Sequence, residues 1–84
     1  MIEIVAPSEA PAGTIVYATA SGYASTDTVE AEATIGGDAL GVVLTQEPAG
    51  DFRACVSVPS GSVGTVSIEF GNGRHYAKAS VMVA

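Results

Sequence analysis

The chain has no tryptophan, one cysteine, one histidine and only three basic residues among its 84. Each scarcity removes a class of function. A lone cysteine, Cys55, forms no internal disulfide, so stability rests on packing. One cysteine and one histidine do not make the four-ligand set of a structural zinc site. Nucleic-acid affinity comes mainly from Lys and Arg on phosphates, and Arg53, Arg74 and Lys78 are too few and too scattered to supply it. The same shortage argues against an anionic membrane surface. No stretch approaches the roughly 20 apolar residues of a spanning helix. The start, Met1-Ile2-Glu3-Ile4-Val5, lacks the basic residues and long apolar run of a secretory leader. Synthesis and use in the cytoplasm are therefore expected.

What is present is apolar and acidic. Hydrophobic residues make up 48% of the chain and charged residues 14%, with a net charge of −6. Mean hydropathy is +0.40 and the isoelectric point is near 4.2. Soluble domains carry about 25% charge, so this deficit predicts apolar surface turned toward another protein and a homo-oligomer or assembled subunit. The length predicts one domain over 1–84. A domain of that size buries roughly 60–65% of its unfolded surface.

Alternation with a period of two dominates. Ile2 and Ile4 flank Glu3 in a short first strand. Pro7 and Pro11 bracket an irregular segment that cannot ladder on both sides. Residues 1–11 thus read as an extended N-terminal arm, with residues 6–13 the most mobile. Ile15 and Tyr17 share a strand face, Ser21-Gly22 reads as a turn, and Tyr23 begins a brief return. Val29, Ala31 and Ala33 alternate with Glu30 and Glu32, which suits a strand with an acidic solvated face or a helical turn. After the Ile35-Gly36-Gly37-Asp38 break, Leu40 to Leu44 is a near-continuous apolar run. That pattern predicts a strand buried on both faces, and Gly41 within it a bulge or close backbone approach.

Phe52, Ala54, Val56 and Val58 form one face of the next strand, with Arg53, Cys55 and Ser57 on the other. Pro59 to Ser62 is a loop, and Val66, Ile68 and Phe70 alternate with Thr65, Ser67 and Glu69. Gly71-Asn72-Gly73 is the strongest hairpin signal, its residues accepting the positive φ of a type I′ turn. The last strand then places His75, Ala77, Ala79, Val81 and Val83 inward. The sum is an all-β domain of about six to eight short antiparallel strands, either a sandwich or a small barrel.

Nothing in this pattern gathers chemistry, and no enzyme is expected. His75 reads as a polar residue at a strand start, since no Ser-His-Asp order is preferred among many candidates. Cys55 reads as packing, although Arg53 and Ser57 share its face. Asp27, Asp38 and Asp51 sit at turns, where the side chain bonds to nearby backbone. Glu30 and Glu32 read as a solvated face. No metal or cofactor follows from these residues.

Taken together, Ala12-Gly13-x-Ile15-Val16-Tyr17, Ser21-Gly22-Tyr23, Ala39 to Leu44, Pro48-Ala49-Gly50-Asp51 and Phe52 to Val58 resemble the capsid cement, or head-decoration, proteins of tailed phages. The resemblance spans about residues 10–58. It implies a tulip-like β barrel and many copies on the exterior of an icosahedral virion, bridging subunits of the major capsid protein. Trimers at three-fold sites are common in that family. The region from Thr65 to Val83 has no counterpart there and reads equally as the last two strands of an immunoglobulin-like sandwich. The alternative function is therefore a binding module of a tail, fibre or surface protein. On the cement reading, the partner contacts expected are Ile2, Ile4, Val5, Pro7 and Pro11 in the arm, with Tyr17 and Tyr23.

Overall fold

The computed structural model describes residues 2–24, 26–47 and 50–84. Nine strands form among them: β1 Glu3–Val5, β2 Glu9–Ala10, β3 Ile15–Ser21, β4 Glu30–Ile35, β5 Asp38–Ala39, β6 Val42–Gln46, β7 Phe52–Ser57, β8 Gly64–Gly71 and β9 Tyr76–Val83. They make two sheets, ordered β1-β3-β7-β6 and β2-β9-β8-β4-β5. Their inner faces pack on each other, so the fold is a sandwich and not a barrel. The strands exceed the expected number because β2 and β5 are only two residues long. One pairing, β2 with β9, is parallel, against the all-antiparallel expectation.

This strand order is that of immunoglobulin-type sandwiches. β1, β3, β7 and β6 take the A, B, E and D places, and β9, β8, β4 and β5 the G, F, C and C′ places. The short β2 is added beside β9. Antibody-type domains pin their two sheets with a cystine. Here β3 and β8 supply buried Val16, Ala18 and Ala20 and buried Val66, Ile68 and Phe70 instead.

The core follows directly from the alternation. Phe52, Ala54, Val56 and Val58 point in from β7 and its end, and Val66, Ile68 and Phe70 point in from β8. Both inner faces mix small residues with large ones. Ala18, Ala20 and Ala54 leave shallow places on the four-stranded sheet, and Ile68 and Phe70 supply bulk from the other. No buried side-chain polar atom lacks a hydrogen bond among the described residues.

Several sequence expectations are corrected. Leu40 to Leu44 is not a strand buried on both faces. The chain leaves β5 at Leu40 and Gly41, crosses to the other sheet, and continues as the edge strand β6 with Val43 exposed. An apolar run carries no sidedness, so it cannot report an edge. A Cβ at Gly41 would meet nothing within 4 Å, so no close approach explains that glycine. Tyr23 begins no strand and is a buried loop residue. His75 is exposed in the β8–β9 loop and not inward.

That loop spans residues 72–75, with Asn72 N–H donating to His75 O at 3.3 Å around Gly73 and Arg74. Gly71 pairs with Tyr76, and the Asn72 side chain accepts from the Arg74 and His75 N–H groups at 2.9 and 2.7 Å. A tight hairpin also lies at Gly36-Gly37, where φ is 58° and 88°. Two consecutive positive φ values match a type I′ turn, which glycine adopts without steric cost.

The N-terminal segment is laced through both sheets. β1 pairs with β3 in the register Glu3↔Ser21 to Val5↔Thr19, and β2 lies on β9. Met82 N–H donates to Ser8 O and Ala84 N–H to Ala10 O, both at 2.9 Å. Thr14 Oγ1 donates to Pro11 O at 2.7 Å. Ala10 is buried, and Ile2, Ile4 and Ala6 pack against the core.

Candidate interaction surface

A two-layer sandwich offers two outer sheet faces and two loop ends. Along every strand the residues between the buried ones define the outer face. On the four-stranded sheet these are Glu3 and Val5, Ile15, Tyr17 and Thr19, Arg53, Cys55 and Ser57, and Val43 and Thr45. Register places Val43, Cys55 and Tyr17 in one row across β6, β7 and β3. The next row holds Thr45, Arg53, Thr19 and Val5. Ile15 sits two residues from Tyr17 on the same face, opposite Ser57.

Large apolar side chains therefore line a face open to solvent. Exposure is 54% for Ile15 and Tyr17, 66% for Val43 and 71% for Val5. The charges on this face are Glu3 and the ion pair of Arg53 with Glu47, at 3.1 Å. Cys55 is half-buried between Val43 and Tyr17 and belongs to the apolar row.

The outer face of the five-stranded sheet differs. Glu32, Glu69 and Lys78 form one row, and Thr34, Ser67 and Ser80 the next. Glu30 lies beyond, in line with Gly71 and Tyr76. Tyr76 lays its ring over Gly71 so closely that a Cβ there would overlap it. An open groove of about 500 Å³ runs beside β4, lined by Val29, Ala31 and Leu44 and by the carboxylates of Glu30, Glu32 and Glu69.

One loop end is tied together by polar contacts. Asp27 Oδ2 accepts from Ala24 N–H at 3.0 Å and from Asn72 Nδ2 at 3.2 Å, which clips the β3–β4 loop to the β8–β9 loop. Tyr23 donates its hydroxyl to His75 O at 3.0 Å and meets Phe52 edge-on, with ring centroids 6.0 Å apart. Burial is the largest cause lifting the Tyr23 phenol above its ordinary pKa, with the Asp27 charge next. Among the described residues, no group of three or more His, Cys, Asp or Glu could hold a metal ion.

The expected contact residues separate into two sets. Val5 and Tyr17 lie on the exposed apolar face, and Pro7 and Pro11 are exposed where the chain passes between sheets. Ile2 and Ile4 are half-buried on the core, and Tyr23 is buried beneath its loop. Ile15, Val43 and Cys55 are the members of the face that sequence reasoning did not single out. The Gly71 to Gly73 turn lies at the clipped end, whereas Pro48 and Ala49 fall outside the described residues. No protein-family model and no curated protein sequence matches this chain.

Proposed function

We propose that this chain is a non-catalytic interaction module that attaches to a protein surface through the outer face of its four-stranded sheet. The observation that carries the reading is the asymmetry of the two outer faces. Ile15, Tyr17, Val43 and Val5 gather on one face with little charge, whereas on the other face the exposed Tyr76 and Met82 are set among Glu30, Glu32 and Glu69. Exposed apolar clusters of this kind mark contact sites. Tyrosine is among the commonest residues to anchor them.

The setting implied by the likeness to cement proteins suits such a two-faced module. Many copies would lie apolar side down across major capsid subunits, with the acidic side outward keeping the particle soluble. A ligand that binds only the assembled shell stabilises that shell by mass action. The immunoglobulin-type strand order favours the second setting, a tail, fibre or surface protein, in which the same face or the clipped loop end grips its target.

Mass spectrometry of purified virus particles from the source of this chain tests the reading. Hundreds of copies in fixed ratio to the capsid protein, lost on Tyr17→Glu, support decoration. A handful of copies moves the module to a tail or fibre. Absence from particles removes the virion setting and leaves a free binding module.

A further inference from the structure

A sandwich has four sheet edges, and exposed edges invite pairing with other chains. Three of the edges here are blunted. β1 is three residues long, carries Glu3 and is soon followed by Pro7. β2 is two residues long between Pro7 and Pro11. β5 is two residues long and begins with Asp38 after the Gly36-Gly37 turn. The fourth, β6, has five residues, Val42-Val43-Leu44-Thr45-Gln46, with neither charge nor proline. It closes its sheet beyond β7.

The ladder fixes which backbone groups face outward. Ser57 N–H donates to Gly41 O at 3.1 Å, and Glu47 N–H donates to Asp51 O at 2.7 Å. Positions 41 and 47 therefore turn toward β7. By antiparallel alternation, Val42 and Leu44 aim their N–H and C=O groups at the open edge.

We propose that β6 pairs with β6 of a second copy of this chain, antiparallel about a twofold axis at Val43. In that register Val42 and Leu44 of each copy exchange hydrogen bonds with Leu44 and Val42 of the other. Val43 stands opposite its own symmetry mate in a non-hydrogen-bonded pair. No charged residue faces a like charge along the seam, a condition few strands of a chain with net charge −6 could meet. The pairing also joins the two apolar rows. Tyr17, Cys55 and Val43 of one copy run straight into Val43, Cys55 and Tyr17 of the other. The result is one continuous eight-stranded sheet with a doubled apolar face, since each copy brings four strands.

Light scattering on the purified chain and cysteine cross-linking test this separately from any docking to a partner. Cys55 is changed to Ser in both cross-linking variants, because it pairs with Val43 in the same molecule. Non-hydrogen-bonded Cα atoms lie about 4.5 Å apart, within disulfide reach. Val43→Cys is then expected to oxidise to a covalent dimer, and Thr45→Cys, which faces Gly41 in this register, is not. Val43→Lys puts like charges on the axis at an exposed position and is expected to halve the mass with the fold intact by circular dichroism. Val43→Ile stays dimeric. A wild-type chain that is monomeric at every concentration overturns the proposal. So does a dimer that survives Val43→Lys, or one that cross-links through position 45 in preference to 43.

Discussion

The two sheets are built from the same alternation and put it to opposite uses. The five-stranded sheet turns Ile68, Phe70 and Val66 into the core and sets Glu30, Glu32 and Glu69 against water. Most of its positions follow the rule of apolar in and polar out, with Tyr76 and Met82 of β9 exposed on the outer face as exceptions. The four-stranded sheet puts Ala18, Ala20 and Ala54 inward and leaves Ile15, Tyr17 and Val43 exposed. Phe52, Val16 and Val56 fill the inner face beside these alanines, and large apolar residues stand on the outer face as well. Folding alone gives no reason for that arrangement, because large side chains gain most from burial. The proposed docking of this face on a partner would supply that burial for Ile15, Tyr17 and Val43.

The inner layers give the largest expected difference. Phe70→Ala removes bulk that the other sheet cannot replace and should cost about 3–5 kcal/mol in urea unfolding. Tyr17→Ala, at an exposed position, should stay within about 0.5 kcal/mol. Equal losses would mean that the outer face of the four-stranded sheet is part of the folding core. Overfilling the small layer comes next. Ala54 is fully buried, and Ala54→Leu should cost about 1–3 kcal/mol through overpacking.

The clipped loop end responds to pH. Tyr23 is held neutral in the fold with its pKa raised above 10.0, chiefly by burial. The neutral phenol is favoured in the native state, so its contribution is complete below pH 10.0 and falls as pH rises through the native value. Tyr23→Phe removes the hydroxyl that bonds His75 O and should cost about 0.5–1.5 kcal/mol at neutral pH. It should also remove that alkaline loss of stability. A melting curve that declines identically in both proteins above pH 10.0 would assign the loss to other groups.

The smallest effect lies on the acidic face. Glu32 stands directly across from Glu69, whose other neighbour is Lys78. Glu32→Lys replaces a like-charged pair with an opposite one and should stabilise by roughly 0.2–1 kcal/mol. The gain should shrink in high salt. A destabilised variant would show that the acidic face is more than a solvated surface.

The inner half of this comparison was legible in the sequence. The alternations Phe52 to Val58 and Thr65 to Phe70 name their buried residues without ambiguity, and both strands form as read. The acidic pattern at Glu30 and Glu32 resolves to strand β4, where a helical turn was also open. The outer apolar face was harder to see. Val5, Tyr17, Cys55 and Val43 come from four strands that only the sheet order brings together. Val43 was hidden in an apolar run whose two sides look alike. The prolines suggest an extended arm over residues 1–11, because they break ladders. Two short pairings nonetheless fit between and before those prolines, and they fasten it to both sheets.

The central claim is that one sheet face docks and the other faces solvent. Its most direct measurement places a photoreactive amino acid at position 17 in one variant and at position 32 in another, with irradiation in the producing cell. The account predicts that position 17 cross-links to one partner protein in high yield and that position 32 cross-links to none. Cross-linking from position 32 alone, or equally from both, would contradict it.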